Sequence, residues 1–234
     1  MTGEDVKELI MIPAYNEASN IESVVDNIIE NYPQYDYVII NDGSTDDTRK
    51  VCSRRGYNLL DLPVNVGLSG AIRAGMRYAN YYGYERTVQI DGDGQHDPAF
   101  IKDMVARMEQ TDCDIVIGSR FVDVKKPKSL RMLGSNLIEF MLLITTGKKI
   151  HDVTSGMRLF NKAMIKQFGY DMHYSPEPDT LAFLLNHGVK IEEVQVTMQE
   201  RVSGTSYLTL GNSIWYMVKM FFSILLFQWV RRRK

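Results

Sequence analysis

Short apolar runs alternate with segments of helical period through the first 120 residues, and this alternation restricts the fold more than any other property of the chain. Residues 8–14 are followed by Ile21, Val24, Val25, Ile28 and Ile29, which recur at the spacing of one helical face. Residues 37–40 precede a predicted helix over residues 48–55, and a strand over 58–62 precedes a helical face made by Leu68, Ala71, Ile72, Gly75, Met76 and Ala79. Residues 87–90 form the next strand, after which Asp97 can cap a helix begun by Pro98, and residues 115–117 make a further strand. Ser19 and Glu22 fit a capping box ahead of the first helix. Strands that are apolar throughout, rather than every second residue, are covered on both faces. The predicted class is therefore α/β, with a predominantly parallel central sheet and helices on both sides.

Beyond Arg120 the pattern loosens. A basic loop with Lys125, Lys126 and Lys128 leads into a helix over 130–144, and a helix over 179–186 has Asp179 at its start as a candidate cap. Residues 190–198 read as an edge or mixed-sheet strand that extends the parallel sheet.

Of the 234 residues 44% are hydrophobic and 24% charged, enough apolar surface for a packed core, which excludes a disordered chain. Two cysteines, Cys52 and Cys113, exclude a disulfide scaffold and a thiolate zinc site. A formal charge of -2 gives no field to attract a nucleic-acid backbone. No basic and apolar leader opens the chain, which points to a reducing cytosol. Of the 17 residues 214–230, 14 are apolar, and Arg231, Arg232, Arg233 and Lys234 follow them. As a helix this stretch spans about 25 Å, short of a hydrocarbon core of about 30 Å, so it suits a short anchor or a helix lying in the interface, with a buried terminal helix or oligomer contact ending in solvated charge as the alternative.

Polar residues concentrate where the predicted strands end: residues 15–17, Asp42, and Asp91 and Asp93. In a parallel sheet such ends share one edge, where ligands bind. Asp91 and Asp93, two residues apart in a flexible turn, offer the hard oxygens that Mg²⁺ or Mn²⁺ prefers, although an Asp-x-Asp pair alone equally serves as turn capping.

Taken together, Pro13-Ala14-Tyr15-Asn16-Glu17, Asn41-Asp42-Gly43-Ser44-Thr45-Asp46, Asn65-Val66-Gly67 and Asp91-Gly92-Asp93-Gly94-Gln95 resemble the motifs of family 2 glycosyltransferases with the GT-A fold, in particular the branch that glycosylates polyprenyl or dolichyl phosphate. The resemblance covers about residues 8–207. It implies a GT-A domain over 1–210, and the apolar run with its basic end is expected to make a membrane-associated amphipathic or short hydrophobic helix over 211–234. It implies a donor site of Pro13, Tyr15, Glu17, Asp42, Asp91, Asp93, Gln95, Arg201 and Ser206, with Asp91, Asp93 and Gln95 toward the cation. On the acceptor side it implies Arg120 and Arg131 at the lipid phosphate, beside Ser155 in Asp152-Val153-Thr154-Ser155-Gly156. Glu177, at the start of the later helix, is a further acceptor candidate. Asp93, Asp152, Arg120 and Arg131 are the expected catalytic set.

The reaction so implied is inverting transfer of one hexose from a UDP- or GDP-sugar to polyprenyl phosphate, at the cytoplasmic face of a membrane. The Gln-x-x-Arg-Trp sequence of processive synthases is absent, which disfavours polymer synthesis. The rivals are transfer to a hydroxyl of a lipid-linked saccharide, for which Asp152 would serve as base, and an inactive nucleotide-sugar scaffold. Self-association is compatible with each.

Overall fold

A computed structural model describes residues 8–171 and 177–199 of the chain, and the side chains of Leu130 and Arg131 lie outside that description. Seven strands form one sheet: β1 (Glu8–Ala14), β2 (Asp36–Asp42), β3 (Leu59–Leu62), β4 (Arg86–Gln89), β5 (Ile115–Ser119), β6 (Arg158–Asn161) and β7 (Ile191–Gln195). Their order across the sheet is β3-β2-β1-β4-β6-β5-β7. The helices are α1 (Ile21–Asn31), α2 (Thr48–Arg55), α3 (Gly67–Tyr81), α4 (Ile101–Thr111), α5 (Leu130–Thr146), α6 (Lys162–Lys166) and α7 (Pro178–Asn186).

The apolar runs become central strands because each alternate residue enters a different core. Leu9 and Met11 of β1 join Val38 and Ile40 of β2 under α3, α5, α6 and α7, while Ile10, Ile12 and Ile39 pack with α1, α2 and α4 on the opposite face. Helix α3 lies close to the sheet at Gly75, where an added Cβ would come within 2.8 Å of Met11 Sδ and 3.2 Å of Ile40 Cδ1. Both cysteines are buried and unpaired, and burial pushes the Cys52 thiol up to about 11, so neither is a nucleophile at neutral pH.

β1, β2, β3 and β4 are mutually parallel, and the chain leaves β1 for β2 and β3 before returning to β4 on the other side of β1. The sheet therefore switches direction between β1 and β4, and a crevice opens at their carboxyl ends. β6 runs antiparallel to both β4 and β5, whereas β7 at the edge runs parallel to β5. The antiparallel member is thus β6, which carries no strand pattern in the sequence, and residues 191–195 supply the predicted edge. Reversal of β6 brings the loop that precedes it, residues 151–156, to the same sheet edge as the loops that follow β4 and β5.

Two caps differ from expectation. Asn20, not Ser19, is the N-cap of α1, and its amide donates to Glu17 Oε2 at 2.7 Å. Glu177 is the N-cap of α7, with Pro178 next, so Asp179 lies in the first turn. Asp97 behaves as predicted and accepts the Ala99 N–H at 2.9 Å, opening a 3-10 turn ahead of α4. Glu139, the one charge within the apolar half of α5, is neutralised by Lys126 at 2.7 Å.

Gly43, just past β2, has φ +62°, and an added Cβ would lie 2.5 Å from Val64 C and Asn65 N. Gly43→Ala combines left-handed strain with overlap on backbone and should cost about 2–4 kcal/mol. Urea denaturation of the purified variant checks this, and an unchanged midpoint would refute it. Among the described residues no helix is long and apolar enough to cross a membrane. The predicted tail, 211–234, lies outside the described residues.

Candidate active site

The ends of β1, β2 and β4 enclose a cleft of about 330 Å³ lined by Pro13, Tyr15, Glu17, Asp42, Asp91 and Asp93, with Asn65 and Gly67 from the start of α3. The three loop clusters singled out in the sequence therefore converge.

The first two loops are tied together by their own polar atoms. Asn16 adopts a left-handed conformation at φ 59°, and its Oδ1 accepts the N–H groups of Thr45 at 2.9 Å and Asp46 at 3.3 Å. The Glu17 N–H donates to Thr48 Oγ1 at 2.9 Å, and the Ala18 N–H to Asp46 Oδ2 at 3.1 Å. Burial works against the Asp46 charge, but the Thr48 hydroxyl and amide and the Ala18 amide outweigh it and hold the carboxyl below its usual range. Asp42 in turn accepts the Val66 N–H at 2.7 Å, which fixes the third loop to the second.

In the Asp91 turn the two carboxylates differ. Asp93 is buried, and its Oδ1 accepts the Gln95 N–H at 3.1 Å. Asp91 has 40% of its side chain exposed and accepts no hydrogen bond within the described residues; His96 Nδ1 stands 3.7 Å from its Oδ2. Because Nδ1 accepts the Asp91 N–H at 3.0 Å it carries no proton, so this contact is not an ion pair and His96 is held by a local hydrogen bond. Gln95 and His96 pair with the segment after β7: Gln199 N–H donates to Gln95 O at 3.0 Å, and His96 bridges Met198.

Loop 151–156 supplies the opposite wall. Asp152, fully buried, takes Arg120 Nε on Oδ2 at 2.6 Å and Arg120 Nη2 on Oδ1 at 2.8 Å, together with the Arg120 N–H and the Thr154 hydroxyl. Burial opposes the Asp152 charge, yet these donors, the guanidinium foremost, keep its carboxyl below the usual range. Arg120 Nη1 is left with no partner among the described residues. At the far end of the loop Gly156 packs on the turn after β4: an added Cβ would stand 2.8 Å from Asp91 Oδ2. Ser155 is buried, and its hydroxyl donates to Gly118 O at 2.5 Å, so here it supports the loop rather than facing the cleft. Glu177 caps α7. The Arg131 side chain, Arg201 and Ser206 lie outside the described residues.

Asn16 lies inside the first named motif without having been given a role there. Thr48 and His96 fall beside named motifs, and their neighbourhood was the available signal. Glu193 and Gln195 of β7 gave none: the Gln195 amide donates to Arg120 O at 3.0 Å, and its Oε1 accepts the Asp123 N–H at 2.8 Å.

A sheet covered on both faces switches direction at a cleft rimmed by paired aspartates, the arrangement expected of a GT-A scaffold. The chain belongs to glycosyl transferase family 2, whose model matches residues 9–169, and it is therefore a glycosyltransferase. It is 26% identical over 219 residues to the polyprenol monophosphomannose synthase of Mycolicibacterium smegmatis, covering 88% of this chain and 82% of that one. It is 28% identical over 222 residues to the undecaprenyl-phosphate mannosyltransferase of Micrococcus luteus, covering 88% and 89%. In fold it matches glucosyl-3-phosphoglycerate synthase from Mycobacterium tuberculosis, solved with Mn²⁺, UDP and phosphoglyceric acid, at a TM-score of 0.69 and 19% identity over 95% of this chain and 78% of that one.

Proposed function

We propose that this protein transfers one hexose, with inversion, from a UDP- or GDP-sugar to a polyprenyl phosphate at the cytoplasmic face of a membrane. The observation that carries the acceptor assignment is the Arg120–Asp152 pair. A hydroxyl acceptor needs a base, and Asp152, ion-paired and held low, is a poor one. A phosphate oxygen is already anionic and needs none. Arg120, with Nη1 free of partners among the described residues, suits such an anion. The names of the mycobacterial and micrococcal relatives agree with this reading.

A membrane-held acceptor is supported by α5. Leu133, Leu137, Phe140 and Ile144 fall on one helical face and are exposed, while Ile138, Met141 and Leu142 on the other face are buried. Lys125 and Lys128 precede this stripe, and Lys148 and Lys149 follow it, all exposed, as an interfacial helix on anionic lipid requires. The tail, 211–234, would add a second attachment.

Pro13, Tyr15, Glu17 and Asp42 would hold the nucleoside, and Arg201 with Ser206 the diphosphate. Among the described residues no group of three or more His, Cys, Asp or Glu is arranged to hold a metal ion. The exposed Asp91 oxygens, with Asp93 and Gln95 beside them, nonetheless fit a Mg²⁺ or Mn²⁺ ion that takes its remaining ligands from diphosphate and water. Such an ion, when bound, neutralises charge on the departing nucleoside diphosphate. Arg120 and Arg131 would orient the acceptor phosphate so that its oxygen attacks the anomeric carbon opposite the diphosphate. One carbon–oxygen bond forms, and the bond to the diphosphate breaks with its electron pair.

The test is purified full chain with a panel of UDP- and GDP-sugars, offered matched polyprenyl phosphate, polyprenol and lipid-linked saccharide. The expected product is a polyprenyl phosphate hexoside of inverted configuration. Product on the hydroxyl lipids alone would overturn the acceptor assignment.

A further inference from the structure

Loop 151–156 is held by two buried charges that no motif marks. Glu193, on β7, has an 8% exposed side chain and accepts the N–H of His151 on Oε2 at 2.8 Å and the N–H of Asp152 on Oε1 at 2.9 Å. The His151 ring nitrogen Nδ1 stands 2.8 Å from the same Oε2. Arg158, the first residue of β6, is 1% exposed, and it donates from Nε to Ser155 O at 3.0 Å and from Nη2 to Val153 O at 3.2 Å. A carboxylate thus takes the amides at one end of the loop, and a guanidinium takes the carbonyls toward the other.

Buried charges are weak evidence for stability, since apolar side chains of similar size often serve as well. What they fix is position. Asp152 grips Arg120, and Gly156 abuts the Asp91 carboxylate, so the course of the backbone between them sets the separation of the acceptor-side cation from the donor-side carboxylates. We propose that Glu193 and Arg158 are positioning residues that clamp loop 151–156 from opposite ends and thereby hold Arg120 and Asp91 in register. The proposal rests on the reading of Arg120 as the acceptor-phosphate ligand only for its effect on catalysis; the clamp itself is tested without it.

Glu193→Gln keeps the size of the side chain but turns an amide NH₂ toward one of the two N–H groups, and Arg158→Lys keeps the charge but loses the fork. In the full-length protein without substrates, Arg120 should react with phenylglyoxal about fivefold faster or more in Glu193→Gln, followed by peptide mass spectrometry, because Asp152 no longer holds its guanidinium. In turnover, Glu193→Gln should raise the acceptor KM by about tenfold with the donor KM within about twofold. Arg158→Lys, nearer Gly156, should raise the half-saturating Mn²⁺ concentration by a similar factor. Should one variant fail to fold, Glu193→Asp or the other variant carries the same measurements. Unchanged labelling with both KM values unchanged, even if the melting temperature falls, would reduce the two residues to bulk stability and overturn the proposal. Faster labelling in Glu193→Gln while Arg120→Lys leaves the acceptor KM unchanged would uphold the clamp and refute the acceptor reading instead.

Discussion

Asp93→Asn is expected to lower the rate of sugar transfer by about a thousandfold while the protein stays folded. The side chain is buried at the carboxyl end of the β4 turn, and one of its oxygens already accepts the Gln95 N–H. Asparagine fills the same space and keeps that acceptor, so the turn survives. What disappears is the negative charge that, beside Asp91, would draw a divalent ion to the donor diphosphate. Loss of a preorganised electrostatic contact at a departing group is worth about two to three orders of magnitude, and loss of the ion itself more. Initial rates with saturating Mn²⁺, set beside a circular dichroism melt, decide the matter. A variant within tenfold of wild type would remove Asp93 from the site. The same experiment separates an enzyme from a scaffold, since a scaffold shows no transfer to lose.

Arg120→Met should cost about 3 kcal/mol of stability at neutral pH, because it leaves the buried Asp152 carboxylate without its guanidinium. The pH dependence gives the sharper test. In the wild type Asp152 is held below its usual range, so the pair stabilises the fold above the unfolded carboxylate pKa of about 3.9, and that contribution is lost as pH falls through the lower folded value. In the variant, among the described residues, the backbone N–H of residue 120 and the Thr154 hydroxyl remain to oppose burial, so the carboxyl rises from its wild-type position and the stabilisation gained on ionisation shrinks. The gap between the two proteins must therefore widen from acid to neutral pH, which urea titrations at a series of pH values can follow. A gap that is constant or narrows would mean that the pair does not hold Asp152 ionised.

The parallel half of the sheet was legible because its signals are local. β1, β2 and β5 are continuous apolar runs, each with residues entering both cores, and the polar clusters that follow β1, β2 and β4 fall where the edge of such a sheet must lie. β6 was not legible. It is four residues long and opens on Arg158, a charge tolerated in the interior only because carbonyls of the preceding loop receive it. That compensation is tertiary and leaves no trace in a window of sequence. The same holds for Ser155, whose motif pointed to a ligand while its hydroxyl turns to Gly118 O, and for Glu193, whose partners lie some forty residues away. Caps moved by a residue or two for a different reason: the N-cap positions of α1 and α7 fall on Asn20 and Glu177, neither of which makes a side-chain capping bond, so the course of the backbone and not a capping side chain sets where these helices begin.

The reversal of β6 also has a consequence for assembly of the chain. β4 and β5 are consecutive strands, yet they do not pair, because β6 is inserted between them and pairs with both. Until residues 158–161 have been made, two hydrogen-bonding edges face one another across an empty lane, open to mispairing with each other or with a neighbouring molecule. The nucleotide-facing half is built on strands β1 to β4, whereas the wall carrying Asp152 and Gly156 needs β6 for its lane and β7 for Glu193, so the two walls of the cleft draw on opposite ends of the described chain.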